Sequence, residues 1–234
     1  MAEIGTAMVM AAGLGTRIRA LSGDLPKPLV SVGACALIDY ALDELSAAGA
    51  ARAVVNVHYK ADELEAHVGG RRAPEVVVSD ERAELMNTGG ALVHAAEALG
   101  REPVFVTNTD AILRHPDGVG ASARALAEAW DASAMDGLML LVRRKDATGY
   151  AGEGDLALGP GGRVSWEGED RLIYTGLQIL HPRLWAGAPH EPLSTKLFWD
   201  DALSRGRLYG VVHEGTWMHV GDPEGHAEAE ARLR

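Results

Sequence analysis

The sequence lacks several features that mark particular classes of protein. It has one cysteine, Cys35, which excludes an internal disulfide framework and fits a reducing compartment. It has no apolar run of about 18 residues, and no basic segment precedes an apolar one at its start, so neither a membrane helix nor an export signal is predicted. We therefore expect a cytoplasmic protein with no membrane partner.

The chain is also poor in basic residues. Lys and Arg total 22 against 33 Asp and Glu, which gives a formal net charge of −11, and the basic residues form no cluster. Such a surface repels a phosphate backbone, so no nucleic-acid partner is expected. A small anionic ligand would need a local concentration of positive charge.

Short apolar runs alternate with helical patterns through the first half of the chain, which is typical of parallel βαβ units. The expected strands are 7–11, 52–58, 75–79, 104–108, 137–142, 163–166, 172–180, 207–213 and 217–220. The expected helices are 36–48, 62–68, 90–99, 121–130, 195–204 and one from Pro223. The pattern predicts a Rossmann-like, doubly wound mixed α/β sheet with a small antiparallel excursion, and ligands outside the carboxyl ends of its strands.

The segment from Ala11 to Leu29, directly after the first expected strand, is the most informative. Its glycines allow a tight turn with free backbone amides, while Arg17 and Lys27 supply the positive charge that a polyphosphate requires. It is neither a Walker A loop nor a dinucleotide fingerprint, since Ile18 occupies the third glycine position. The alternative is a glycine-rich surface turn, but Pro26 and Pro28 restrict the backbone around Lys27 and favour deliberate placement.

Two motifs with this spacing, Ala-Gly-Leu-Gly-Thr-Arg and Pro-Lys-Pro-Leu, resemble those of the sugar-nucleotide pyrophosphorylases, a family of nucleotidyltransferases. The resemblance extends from residue 7 to the C-terminal helix. It implies one GT-A-like domain over 1–234, with a nucleotide-binding part at about 1–115 and a sugar-binding part at about 116–234. It also implies a triphosphate held by Ala12, Gly13, Gly15, Thr16, Arg17 and Lys27.

A second segment, Glu84 to Leu92, resembles the part of the family in which Thr-Gly-Gly opens a helix beside the base. Thr88, Gly89 and Gly90 are then expected to bind the base. The alternative is that Asn87 or Thr88 only caps the helix. Uridylyl members often carry an acid where Asn87 stands.

Two further positions concern a metal. The stretch Thr107-Asn-Thr-Asp110 resembles the element whose aspartate holds catalytic magnesium, so Asp110 is an expected ligand, with Asn108 on the nucleotide. His219 stands where the family has a second aspartate, and imidazole suits manganese better than magnesium. Three readings stay open: His219 ligates the metal, His219 contacts phosphate, or Asp222 takes over as ligand.

Sugar recognition is assigned by the same resemblance to the second half of the chain. The residues are Asp155, Tyr174, Thr175, Gly176 and Lys196. The glycine-rich stretch 148–162 is either a lid over the sugar or a surface excursion.

The expected reaction joins a sugar 1-phosphate to a nucleoside triphosphate and releases pyrophosphate, with Lys27, Arg17 and Asp110 as the catalytic groups. UTP with N-acetylmuramate 1-phosphate is favoured, and GTP with mannose 1-phosphate is the alternative. The cofactor is Mg²⁺, with Mn²⁺ possible, and the protein is a monomer or small homo-oligomer. A catalytically weak nucleotide-sugar-binding regulatory module is the alternative of another class.

Overall fold

The computed structural model describes residues 3–234, which form fourteen strands and eight α-helices. The strands are, in chain order, β1 Thr6–Met10, β2 Ser31–Val32, β3 Cys35–Ala36, β4 Arg52–Val57, β5 Glu75–Asp80, β6 Val104–Asn108, β7 Ala111–Arg114, β8 Gly137–Val142, β9 Ala147–Thr148, β10 Leu156–Leu158, β11 Val164–Ser165, β12 Arg171–Leu180, β13 Leu208–Val212 and β14 Thr216–His219.

Helices cover both faces of the sheet that most of these strands form. They are α1 Arg19–Ser22, α2 Leu37–Ala47, α3 Ala61–Val68, α4 Asn87–His94, α5 Ala96–Leu99, α6 Ala121–Ala129, α7 Lys196–Ser204 and α8 Pro223–Leu233. None of the helices in the described range is long and apolar enough to cross a membrane.

The main sheet follows the order β11-β10-β12-β6-β1-β4-β5, with β8 and β13 joined to β12 on a branch. β1 pairs in parallel with both β4 and β6, and β4 pairs in parallel with β5. Met10 at the end of β1 is in register with Asn108 at the end of β6. The polar segments that follow β1, β4, β5 and β6 therefore meet at one edge of the sheet.

β12 connects the parallel strands to the antiparallel ones, because it pairs with different strands along its length. Its first residues pair with β10, and Leu177 to Leu180 pair with β6, while β8 runs along the other side. The register shifts between Tyr174 and Gln178, where Gly176 has a φ of +93°. A Cβ at Gly176 would lie 3.1 Å from the side-chain nitrogen of Asn108, so a glycine is needed where the two strands approach.

A small second sheet, β7-β14-β9, crosses the carboxyl edge of the main sheet. β14 runs antiparallel to β7, with His219 opposite Ala111, and the Val220 amide donates to the Asp110 carbonyl at 2.8 Å. β14 also pairs with β9, which brings Thr148 beside Met218. This pairing holds residues 110, 149 and 219 together.

Apolar side chains fill both faces of the main sheet. One face packs against α2, α3 and α6 and includes Ile38, Leu42 and Phe105, all fully buried. The other face packs against α4, α5 and α7 around Met8 and Leu92. The core beneath the loop after β1 is separate and contains Ile18, which anchors that loop.

The predicted doubly wound mixed α/β sheet with an antiparallel excursion is confirmed. The expected strands 104–108 and 137–142 and the last helix from Pro223 match the structure at their predicted ends. The expected helix 90–99 was wrong in extent, because α4 begins at Asn87 and the backbone departs from helical geometry at Ala95 before α5. β7, β9 and β10 were not predicted, because two to four residues carry too little periodicity to be seen.

Candidate active site

A cavity of about 480 Å³ opens where the segments after β1 and β6 meet. It is lined by the nucleotide-binding candidates Ala12, Gly13, Gly15, Thr16, Arg17, Lys27, Thr88 and Asn108, together with Asp110. We refer to it as the nucleotide cavity. Residues separated by up to about 100 positions in sequence are thus brought to one place by the parallel strands.

The loop after β1 closes tightly over Lys27. Gly15 has a φ of +59°, and a Cβ there would lie 2.8 Å from the Lys27 Cβ, so a larger residue would displace the lysine or the loop. Ile18 is fully buried and holds the far side of the loop. Arg17 is exposed and forms no ion pair within the described part of the chain, which leaves its guanidinium available to an anion.

The two prolines place Lys27 at the start of a short 3₁₀ turn. Pro26 has an extended ψ of 145°, and the Leu29 amide donates to its carbonyl at 2.9 Å. The Lys27 side chain is 13% exposed, and its Nζ donates to Asp110 Oδ2 at 2.8 Å. The lysine is therefore fixed at the floor of the cavity beside the carboxylate.

The glycines of the Thr-Gly-Gly segment do not line the nucleotide cavity. The amides of Gly89 and Gly90 donate to the Leu193 carbonyl at 2.8 and 3.1 Å. A Cβ at Gly89 would come within 2.7 Å of the Ser194 backbone, and one at Gly90 within 2.4 Å of the Glu191 carbonyl oxygen. Gly89 and Gly90 thus pack closely against the backbone of residues 191–195, while Thr88 and Asn87 face the cavity.

Asp110 and His219 face each other across β7 and β14. His219 Nε2 lies 3.7 Å from Asp110 Oδ2, and the imidazole stacks on Trp217 with an interplanar angle of 6°. Nδ1 of His219 lies 3.2 Å from the Gly149 carbonyl oxygen, which can only accept, so Nδ1 carries a proton. Nε2 is then the ring nitrogen that faces Asp110.

Burial alone would raise the pKa of Asp110, but the opposing effects are stronger. The hydrogen bond from His219 and the charge and hydrogen bond of Lys27 hold the pKa of Asp110 well below its ordinary value. The carboxylate is therefore ionised throughout the physiological pH range.

These groups fit a divalent cation that substrate oxygens help to bind. Asp110 offers a carboxylate oxygen, and a bound cation would take the Nε2 lone pair of His219 in place of the hydrogen bond to Asp110, while Nδ1 is held by a backbone carbonyl, as is usual for a metal-binding histidine. Among residues 3–234 no three His, Cys, Asp or Glu side chains form a metal-binding group, so water and phosphate would complete the coordination. Asp222 does not take over as ligand in the structure, because its Oδ1 accepts from the Gly225 amide at 2.9 Å and caps α8.

A second cavity of about 300 Å³ lies next to the first and shares Asn108 and Asp110 with it. Four of the sugar-binding candidates, Asp155, Tyr174, Thr175 and Gly176, line it. We refer to it as the sugar cavity. Five aromatic side chains contribute to its wall: Tyr150, Trp166, Tyr174, Trp199 and Trp217.

Hydrogen bonds fix the polar groups of the sugar cavity. Asp155 accepts from the Tyr150 hydroxyl at 3.1 Å and from the Tyr174 amide at 2.8 Å. Burial raises the pKa of Tyr174 well above 10, and burial together with the Asp155 charge raises the pKa of Tyr150. Both phenols therefore remain protonated, and the Tyr150 hydroxyl, which donates to Asp155, can accept from a sugar hydroxyl.

Lys196 is the one sugar-binding candidate that does not line the cavity. Its Nζ donates to both carboxylate oxygens of Asp200 at 2.7 Å and lies 4.6 Å from the centre of the Trp166 ring. The same Asp200 accepts from the Trp166 indole at 2.8 Å. Lys196 therefore supports the wall of the cavity from outside and is committed to these contacts.

The glycine-rich stretch 148–162, expected as a lid or a surface excursion, contributes one wall of the sugar cavity. Tyr150 and Asp155 from this stretch line the sugar cavity. β9 overlaps the start of the stretch, and β10 lies within it. The Gly149 amide donates to Glu228 in α8 at 2.9 Å. The stretch is therefore anchored to both sheets.

Sequence reasoning missed Asn56 and most of the aromatic wall. Asn56 lines the nucleotide cavity from near the end of a largely apolar strand, where a buried polar residue is itself a signal. The aromatic residues 150, 166, 199 and 217 come from separate elements, and no local motif connects them.

Comparison with known proteins agrees with this geometry. The family model described as nucleotidyl transferase matches residues 6–154. An N-acetylmuramate alpha-1-phosphate uridylyltransferase of Caulobacter vibrioides is 45% identical over 97% of this chain and 96% of its own length. A mannose-1-phosphate guanyltransferase of Aspergillus fumigatus is 29% identical over 93% of this chain and 61% of its own length.

A similar fold occurs among solved structures. HddC from Yersinia pseudotuberculosis, crystallised with GMP-PN, superposes with a TM-score of 0.78 at 25% identity, covering 99% of this chain and all of the HddC chain.

Proposed function

Because the chain belongs to the nucleotidyl transferase family, we propose that it transfers a uridylyl group from UTP to N-acetylmuramate 1-phosphate and releases pyrophosphate. The observation that carries the proposal is that the nucleotide cavity and the sugar cavity share the carboxylate of Asp110. Lys27 and Arg17 line the larger cavity, aromatic residues line the smaller one, and Asp110 belongs to both. The reacting phosphates of two substrates would meet at Asp110.

In the proposed reaction a phosphate oxygen of the sugar 1-phosphate attacks the α-phosphorus of the nucleotide in line. A new P–O bond forms while the bond to the β-phosphate oxygen breaks, and its electron pair leaves with pyrophosphate. A phosphate monoester has a second pKa near 6, so the nucleophile is largely dianionic at neutral pH and requires no general base. Positioning and charge neutralisation therefore account for catalysis.

Different residues of the nucleotide cavity would hold the triphosphate and neutralise charge on the reacting phosphate. Arg17 and the backbone amides around Gly13 and Gly15 would hold the triphosphate. Lys27, fixed by its flanking prolines, would offset charge that develops on the α-phosphate. These cations also provide the local positive charge that an acidic chain needs to bind two anions.

We assign the cation site to Asp110 and His219, and we take Mg²⁺ as the cofactor, with Mn²⁺ as the alternative. A bound divalent cation would neutralise phosphate charge at the reacting centre. Asp110 is ionised and His219 is oriented for this role by the Gly149 carbonyl. Phosphate contact by His219 remains the competing role.

The substrate assignment is supported by the 45% identity to the uridylyltransferase, against 29% to the guanyltransferase. The aromatic wall also supports a sugar that carries apolar substituents, since such groups pack on aromatic faces. We include in the proposal a cytoplasmic location, a monomer or small homo-oligomer, and one domain with a nucleotide part at about 1–115 and a sugar part at about 116–234.

The decisive experiment measures pyrophosphate release for each nucleoside triphosphate with several sugar 1-phosphates, in Mg²⁺ and in Mn²⁺. The proposal requires UTP with N-acetylmuramate 1-phosphate to be turned over fastest. Preference for GTP with mannose 1-phosphate would replace the substrate assignment. Nucleotide binding without pyrophosphate release under any condition would overturn the enzyme and favour a regulatory binding module.

A further inference from the structure

Two buried polar side chains, Asn56 and Glu81, lie at the edge of the nucleotide cavity without a role in the proposed reaction. Asn56 is 4% exposed and Glu81 is 1% exposed. Asn56 sits near the end of β4, and Glu81 directly follows β5, so both lie at the carboxyl edge of the sheet. No ion pair to Glu81 occurs in the range 3–234, and burying a lone carboxylate is costly unless hydrogen bonds compensate.

Asn56 connects the start of the phosphate-binding loop to Glu81. Its Oδ1 accepts from the backbone amides of Ala11 and Ala12 at 2.7 and 3.3 Å. Its Nδ2 donates to Glu81 Oε1 at 2.8 Å. Ala12 is followed by Gly13, so this contact fixes the first turn of the loop.

Glu81 connects Asn56 to the segment expected beside the base. Its Oε2 accepts from the Met86 amide at 3.1 Å, and Met86 precedes Asn87 and Thr88, which line the cavity. The Glu81 carbonyl accepts from His58 Nδ1 at 2.6 Å, which fixes its backbone as well. One chain of hydrogen bonds thus runs from the phosphate loop to the base segment.

The direction of these bonds explains the residue types. Backbone amides, which only donate, stand at both ends of the chain, so an acceptor must face each of them. Glu81 meets a donor on both sides, which a carboxylate satisfies and a glutamine amide cannot. Asn56 needs an acceptor toward Ala11 and a donor toward Glu81, which an amide provides and an aspartate cannot.

From this arrangement we infer that Asn56 and Glu81 are positioning residues that fix the phosphate loop and the base segment relative to each other. The inference rests on the proposed function only in assigning a nucleotide to this cavity. Neither residue touches the reacting atoms. Their effect is on nucleotide affinity, because the two halves of the nucleotide are bound by the two segments that they connect.

The single variants Asn56→Asp and Glu81→Gln each change one atom type and leave the shape of the side chain. In Asn56→Asp the new carboxylate faces the Glu81 carboxylate. In Glu81→Gln the new amide nitrogen faces either Asn56 Nδ2 or the Met86 amide, so two donors oppose each other. We expect each to raise the dissociation constant for UTP with Mg²⁺ about tenfold, as expected for one broken buried hydrogen bond. The KM for the sugar 1-phosphate should stay unchanged.

The double variant Asn56→Asp with Glu81→Gln reverses the central bond. The aspartate accepts from the loop amides and from the glutamine amide, and the glutamine oxygen accepts from the Met86 amide, so every donor again has an acceptor. We expect nucleotide affinity within about twofold of the natural chain, which is far from the product of the two single effects. Glu84→Gln, an exposed acid of the same segment, is the matched control.

Affinity is measured by calorimetry with UTP and Mg²⁺, and thermal melting is measured for every variant. If the two residues only stabilise the fold, the single variants should melt at lower temperature but bind UTP with unchanged affinity at temperatures where they are folded. That result would overturn the inference. A double variant that does not recover nucleotide affinity would also overturn it. If the natural chain turns over no sugar 1-phosphate but the affinities follow the predicted cycle, only the proposed reaction fails. If it turns over substrate and the affinities stay flat, only this inference fails.

Discussion

The nucleotide cavity and the sugar cavity share Asn108 and Asp110 but are built in different ways. The first is formed by loops at the carboxyl edge of parallel strands, with glycines, backbone amides and two cations. The second includes aromatic side chains from two loops, a helix and two strands that are distant in sequence. Phosphate is the same in every nucleotide and can be bound by a local motif, whereas a particular sugar requires a wall assembled from the whole fold.

The largest effect is expected at the point where the two cavities meet. Asp110→Asn or Lys27→Met should lower kcat by about a thousandfold, because each removes a charge aligned with the reacting phosphates. Each variant should remain folded at the assay temperature, which a melting curve checks. Pyrophosphate release is the assay, with Asp170→Asn and Lys145→Met, both exposed, as matched controls. Near-normal rates in both site variants would refute the assignment.

Asp136 is a test of stability within the sugar half. It is fully buried, and its Oδ1 accepts from Arg207 Nε at 2.8 Å and lies 2.9 Å from Arg183 Nε, while Arg205 lies 2.9 Å from Oδ2. Asp136→Asn should lower the free energy of unfolding by about 3 kcal/mol, because three cations lose one carboxylate. Chemical denaturation measures it. Kinetic constants below the transition should not change, and a large change in kcat would show that the cluster affects the site.

Trp199 tests whether the aromatic wall binds the sugar. Its indole donates to Gln178 at 2.9 Å and packs against Tyr174. Trp199→Phe should raise the KM for the sugar 1-phosphate about tenfold and leave the KM for the nucleotide unchanged. Trp130→Phe, a buried tryptophan that lines neither cavity, is the control. Equal changes in both KM values would remove the distinction between the two cavities.

His219 tests the metal assignment. His219→Asp should increase the ratio of activity in Mg²⁺ to activity in Mn²⁺ about fivefold, because a carboxylate suits the harder cation better than imidazole does. Activity is titrated with each metal separately. An unchanged ratio would favour phosphate contact over metal ligation by His219.

The smallest effect concerns His213, in the sugar half beside β14. Burial lowers the pKa of His213, and the nearby His115 lowers it further, while the Thr216 carbonyl and Glu44 oppose this. The unfolded chain takes up a proton near the ordinary histidine pKa of 6.5, and the folded chain takes it up only at lower pH. Stability contributed by the neutral ring should therefore decrease as pH falls below about 6.5.

The measurement is denaturant unfolding between pH 7.5 and 5.5 for the natural chain and for His213→Leu. Between these pH values the free energy of unfolding should fall by at most about 1 kcal/mol more in the natural chain than in the variant. Identical slopes would show that His213 titrates alike in both states.

The contrast between the cavities also explains how much the sequence could predict. The glycines around Arg17, the prolines around Lys27 and the strand before Asp110 are local features, and a local feature dictates its own backbone. The packing of Gly89 and Gly90 could not be predicted, because a small residue next to a helix start serves a ligand or a packed backbone equally well. The backbone that fills the space comes from residues 191–195, about 100 positions later.

Asn56, Glu81 and the aromatic wall depend on pairing across the sheet. Register between β4 and β5 places Asn56 opposite Ser79 and so brings Glu81 within reach. Trp199 and Tyr174 meet only after α7 packs on the sheet. Such contacts follow from tertiary structure, and no pattern within a short window of sequence encodes them.

The partner change along β12 determines where the chain could be divided. A fragment that ended at residue 154, where the family match ends, would contain β1, β4, β5 and β6 but would lack β12. The backbone groups of β6 from Val104 to Thr107 would then form an open edge beside a hydrophobic face. Exposed edges of this kind pair with other chains. Such a fragment should aggregate, and a soluble nucleotide-binding protein derived from this chain must keep β12.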